Sequence, residues 1–138
     1  MSDTRLARML HVLAHMHLLG GTETSETIAL MLDTNPVVVR RTMGILKHHG
    51  LVTSTGGRSG GWRLAKPAQE ITVRQVHDAL STGSSFAFSL SNDHPACPVE
   101  GSANHILRQA MEKAEATLRA ELDDVSIDDI ASAASAKR

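Results

Sequence analysis

Residues 35–50 read NPVVVRRTMGILKHHG, and no other stretch narrows the fold so much. Three consecutive valines would suit a strand. The Asn-Pro pair before them dictates otherwise. Asn35 is a strong N-cap, and Pro36 then occupies the first helical position, where its missing N–H costs nothing. Val39, Met43 and Leu46 recur at the spacing of one buried helical face, and Gly50 supplies the stop. The pattern predicts a helix over residues 36–49 with Arg40, Arg41 and Lys47 off its apolar line.

What flanks this helix restricts the fold further. A shorter helix is expected to begin at Thr24, with Glu26 in its first turn and Ile28, Ala29 and Leu32 facing inward, and to break at Asp33-Thr34. Two short helices joined by a tight turn form a helix-turn-helix. Residues 51–55, LVTST, then read as a strand, and residues 62–66, WRLAK, as its partner. The stretch between them is GGRSGG. Glycine supplies the positive φ values that a hairpin tip needs and lets the tip approach another backbone closely. A hairpin directly after a helix-turn-helix is a wing. The fold class expected is therefore mainly α with a small β-hairpin: a winged helix-turn-helix domain over residues 1–81.

The remaining segments fit around that unit. Residues 3–19 carry Leu6, Leu10, Leu13 and His17 at helical spacing, closed by Gly20-Gly21. Ile71, Val73, Val76 and Leu80 predict a helix over residues 72–81, with Thr72 as its cap. Residues 82–97 read as a polar loop. Residues 98–130 form the expected dimerisation region. Its long helix, over residues 99–123, spans roughly 35 Å at 1.5 Å per residue. That is longer than a compact winged helix needs, so its apolar stripe is expected to meet a second copy of the chain. The candidate interface residues are Ile106, Leu107, Ala110, Met111, Ala114, Leu118 and Leu122. Residues 126–130 read as a final short turn and 131–138 as a frayed tail.

Composition excludes several classes. No run approaches a membrane span, and the N-terminus has no basic-then-apolar secretory signal. A single cysteine rules out an intrachain disulfide framework and points to a reducing cytoplasm. The net charge of −1 hides an asymmetry. Residues 34–69 contain no Asp or Glu but carry Arg40, Arg41, Lys47, Arg58, Arg63 and Lys66, with His48 and His49 among them. Residues 112–129 are predominantly acidic. A basic middle with an acidic end points to a polyanion as partner, although charge of this kind also serves plain solubility.

Order and type favour the polyanion, and specifically double-stranded DNA. A recognition helix must offer polar and small apolar groups near its N-terminus to the major groove. Thr34, Asn35, Val37, Val38, Arg40 and Arg41 are the candidates, with Lys47 facing backbone or solvent and Thr24 at the start of the preceding helix. At the hairpin tip Arg58, Ser59 and Gly60 are placed to meet phosphates or a narrow minor groove.

The run TSETIALMLDTNPVVVRRTMGILKHHGLV…GGRSGGWRLAKP, followed after a polar loop by CPVEGSANHILRQAMEKAEATL, resembles the bacterial winged-helix repressors of the IscR, NsrR and CymR family. The likeness covers residues 3–130. It implies a homodimer on a partly palindromic operator, with the long helices crossed at the dimer interface. Two departures stand out. Family wings often place an arginine just after the first wing strand; here that position is Gly56 and the arginine is displaced to Arg58. The cluster-binding members carry three cysteines before the dimer helix, whereas this chain has Cys97 alone. The chain therefore resembles the cysteine-poor branch, with no iron–sulfur cluster and no cofactor.

Cys97 precedes Pro98 at a helix start, where the positive end of the helix dipole lowers a thiol's pKa. It reads either as a redox sensor or as a small packing residue. His11 and His15 lie one turn apart, but nothing nearby completes a metal site. GGRSGG lacks the Gly-Lys-Ser/Thr of a phosphate loop, and no orienting group makes a thiol hydrolase of Cys97 with His94 or His105, so no enzyme is expected. Two other classes remain open: an interaction module that keeps the fold without DNA, and a regulator answering a small-molecule or oxidant effector, with Phe86 and Phe88 available for a small apolar pocket.

Overall fold

The computed structural model describes residues 4–57, 60–81 and 89–136. Along the chain these form α1 (Arg5–Leu19), α2 (Ser25–Leu32), α3 (Pro36–His48), β1 (Val52–Thr55), β2 (Gly61–Leu64), a short 3-10 turn (Ala68–Glu70), α4 (Val73–Leu80), α5 (Pro98–Asp123) and α6 (Ile127–Ala136).

The helix starts follow local chemistry. Thr24 accepts from the Thr27 N–H at 3.1 Å, and Asn35 accepts from the Val38 N–H at 3.1 Å with Pro36 next in line. Thr72 and Gln75 form a reciprocal capping box on α4. The α2–α3 turn is tight because Asp33 adopts the left-handed conformation, φ 54°, one of the few non-glycine residues that tolerate it. β1 and β2 pair antiparallel, with Val52 opposite Leu64 and Thr55 opposite Gly61.

One apolar core joins the elements. Val12 and Leu13 of α1, Ile28 of α2, Val39, Met43 and Leu46 of α3, Val52 of β1 and Val76 of α4 are all essentially solvent-free. Ile127 and Ala131 of α6 belong to the same core. Here the structure departs from the sequence reading. In place of a short turn and frayed tail, residues 127–136 are helix packed on α1. Ser126 and Asp129 cap it reciprocally, at 2.9 and 3.0 Å. The preceding segment pairs with the entry to α4: the Val73 N–H donates to the Val125 carbonyl and the Ile127 N–H to the Ile71 carbonyl, both at 2.8 Å. His17 and Asp128 meet at 2.8 Å across the α1–α6 seam.

α5 is different. None of its residues is buried, and among the described helices and strands it packs chiefly against α4. At 1.5 Å per residue its 26 residues span about 39 Å.

Candidate nucleic-acid interface

The burial of α3 defines three lines on its surface. Val39, Thr42, Met43 and Leu46 face the core. With about 100° between successive residues, Val37, Arg41 and His48 form the ridge opposite that face. Arg40 and Lys47 lie along one flank; Val38 and Ile45 lie along the other. Val37 is 57% exposed and Val38 38%, so the apolar candidates for touching base edges are open to solvent. Arg41 is exposed, and among the described residues no acid pairs with it.

The Arg40 flank faces the hairpin. Arg40 Nη1 lies 3.5 Å from Glu26 Oε1, with side chains 54% and 68% exposed. A pair so open to water contributes little and releases easily to a phosphate. Lys47 Nζ donates to Ser54 Oγ on β1 at 2.8 Å, so this amine braces the hairpin against α3. Thr24 is likewise occupied as a helix cap, its hydroxyl also donating to Thr27 Oγ1 at 3.0 Å. Asn35 uses its Oδ1 as a cap, and its amide N–H groups have no partner among the described residues.

The hairpin is tied to the head of α2. Trp62 exchanges two backbone hydrogen bonds with Glu23, at 2.7 and 3.0 Å, and its indole N–H donates to Ser25 Oγ at 2.9 Å. Two glycines permit this. A Cβ on Gly61 would stand 2.5 Å from the Glu23 carbonyl oxygen, and one on Gly60 would stand 2.3 Å from that of Thr55. Gly61 also has φ 154°, which disfavours a side chain. Between α2, α3 and the hairpin lies an open cleft of about 380 Å³ that Thr24, Arg40 and Gly60 all line. The structure thus brings those three expected residues together. Arg58 and Ser59 lie outside the described residues.

Thr34 and Val38 sit on the opposite flank, where they line a small cavity with the start of α1. Sequence reading missed this flank because nothing in α1 announces where its first turn will rest.

Cys97 is the N-cap residue of α5 and is half-buried. Its thiol makes no cap hydrogen bond of good geometry, yet the backbone N–H of Glu100, and secondarily that of Val99, hold its pKa below the ordinary thiol value. The first turns of α5 also organise the segment before it. Asn104 exchanges two hydrogen bonds with the Ser91 backbone, and Glu100 accepts from the His94 N–H at 2.7 Å. Among the expected interface residues, Ile106 is 64% exposed, Ala110 is exposed, and Leu107, Met111, Ala114, Leu118 and Leu122 are half-buried along one face of the helix.

Sequence reading also missed the joint between α4 and α5. Asp78 sits among Arg74, His77 and Arg119, with contacts of 3.5, 3.1 and 3.6 Å, and Arg74 reaches on to Asp123 at 3.7 Å. Only the i,i+4 spacing of Arg74 and Asp78 signals any of this in advance.

Among the described residues no helix is long and apolar enough to cross a membrane. Comparison with known proteins accords with the geometry. The Rrf2 family, described as an iron-dependent transcriptional regulator, matches residues 2–133. YwnA of Bacillus subtilis, described as an HTH-type transcriptional regulator, is 32% identical over 130 residues, covering 94% of this chain and 96% of that protein. A solved structure described as a DNA-binding protein is 30% identical with a TM-score of 0.74, covering 91% of this chain and 97% of that one. CymR (YrzC), the global cysteine regulator of B. subtilis, shares the fold at a TM-score of 0.68 and 21% identity, covering 96% of each chain.

The iron in that family description finds no matching donor set here. The chain has one cysteine, and no group of three or more His, Cys, Asp or Glu side chains among the described residues is arranged to hold a metal. His11 and His15 lie with ring centroids 4.8 Å apart, and among the described residues no third ligand joins them. One thiolate does not fit an iron–sulfur cluster, which uses about four protein ligands.

Proposed function

Because the chain belongs to the Rrf2 family of transcriptional regulators, we propose that it is a homodimeric repressor that reads a partly palindromic DNA operator with α3 and the hairpin. It is a regulator and not an enzyme. The observation that supports the reading best is the outer ridge of α3, where Arg41 is exposed with no acid paired to it among the described residues, next to a flank on which Arg40 and a single acid, Glu26, line the cleft against the hairpin. In this reading Val37, Val38 and Arg41 meet base edges, Asn35 offers its amide N–H groups, and Arg40 exchanges Glu26 for a phosphate. Thr24, Thr34 and Gly60 line the approach and Lys47 steadies the hairpin, while Arg58 and Ser59, outside the described residues, are expected from the sequence to meet phosphates.

Selection of genomic fragments with the purified protein tests this directly. The expected outcome is a set of fragments sharing an inverted repeat, bound with a steep loss of affinity as salt rises. Arg41→Ala should lose the preference for that repeat, since each good base contact contributes about 1–3 kcal/mol of discrimination. Fragments with no shared sequence, or Arg40→Ala and Arg41→Ala variants that keep affinity and preference, would leave an interaction module as the better description.

The apolar face of α5 is the proposed dimer contact, and the cytoplasm the proposed compartment. The proposed effector site is Cys97. Its thiolate attacks a peroxide oxygen, the O–O bond breaks, and hydroxide leaves, giving a sulfenic acid beside the start of the dimer helix. DNA affinity measured with and without peroxide in wild type and Cys97→Ser tests this; equal responses would remove Cys97 from the mechanism.

A further inference from the structure

A helix lying in a major groove has a sugar-phosphate strand on each side, and the two flanks of α3 are unequally provided with charge. The hairpin flank carries Arg40 and Lys47. The opposite flank, marked by Val38 and Ile45, carries no cation of α3 itself. The structure fills that gap from another element. The first turns of α1 rest beside the N-terminal half of α3, and Arg8, Val38 and Thr34 line the same cavity of about 50 Å³. Arg5 is also there, but its guanidinium is engaged with the Leu80 carbonyl at 3.3 Å. Arg8 is exposed, and no ion pair or side-chain hydrogen bond engages it among the described residues. A solvent-facing guanidinium with no partner among the described residues, lining the same cavity as Val38, matches the chemistry of a phosphate oxygen.

We propose that Arg8 grips the DNA backbone strand on the α1 side of the recognition helix, so that α3 is held between cations from two different elements. This rests on the DNA-binding reading above and adds to it a second, strand-specific contact outside the helix-turn-helix and hairpin. Arg8 positions the protein on the duplex and does not select sequence.

The test measures affinity against salt for wild type, Arg8→Ala and Arg8→Lys on two duplexes, one carrying the strongest fragment selected by the wild type and one of random sequence. Arg8→Ala should weaken binding to both by a similar factor, roughly tenfold. It should also reduce the slope of log affinity against log salt by about 0.9 per bound subunit. Arg8→Lys should restore the slope, and all three proteins should melt together. In addition, neutral methylphosphonates placed singly along each strand should weaken wild type at a position on one flank where Arg8→Ala is indifferent. An unchanged salt slope in Arg8→Ala, whether or not affinity falls, would overturn the proposal. So would a loss confined to the selected duplex. If the wild type itself shows no salt-dependent binding to either duplex, the function reading fails and takes this contact with it.

Discussion

Cys97 shows how much one residue's position decides. The helix-terminal N–H groups of Glu100 and Val99 lower its pKa, so the thiolate persists to lower pH in the folded chain than in the unfolded one. Alkylation by iodoacetamide should therefore have its pH midpoint below that of the same protein in urea. The sign is fixed by the direction of the shift: an acid whose folded pKa is depressed keeps its charged form as pH falls toward that value. Coincident midpoints in folded and unfolded protein would show that the helix terminus does not act on the sulfur. The other exposed side chains with a proposed role are simpler. Arg41 and Val37 need only be left open, and the burial of Val39 and Met43 ensures that they are.

At the scale of elements, the hairpin is the most demanding piece. It is held by Trp62 against Glu23 and Ser25, and that approach needs Gly61 without a side chain. Gly61→Ala should destabilise the fold by about 1–3 kcal/mol, read as a lower urea midpoint, because the new Cβ must displace the Glu23 carbonyl or distort its own backbone. An unchanged midpoint would mean the hairpin is not clamped there. Much of this element was legible in the residues themselves. Asn35-Pro36 announces a helix because capping is local chemistry, and a glycine-rich tip announces a turn for the same reason. What pairs with Trp62 was not legible, since Glu23 is far away in sequence. α6 was misread for a related reason. Ser126-x-x-Asp129 carries a cap signal and Ile127, Ile130, Ala131 and Ala134 keep helical spacing, but the run is short and mostly alanine, and its core role rests on Ile127 and Ala131 meeting α1 in three dimensions.

At the scale of the molecule, the question is what covers α5. Its apolar face lies outside the chain's own core, and apolar area left in water favours association by about 25 cal/mol per Å². Leu118→Asp should convert a species of about twice the 14.8 kDa chain mass into a monomer by sedimentation, while the helical signal of the winged domain persists. Dimers that survive Leu118→Asp and Ile106→Asp together would place the subunit contact elsewhere. The joint at Asp78 then acquires a mechanical meaning. In the proposed dimer each α5, about 39 Å long, would pivot at its C-terminal end where Arg119 and Asp123 meet α4, and a tilt of roughly 5° there would displace the Cys97 end by about 3.4 Å relative to the reading head. Because Arg74, Asp78, Arg119 and Asp123 are all solvent-accessible, the ionic part of that brace weakens as salt rises, and the angle between the heads of such a dimer would loosen with it.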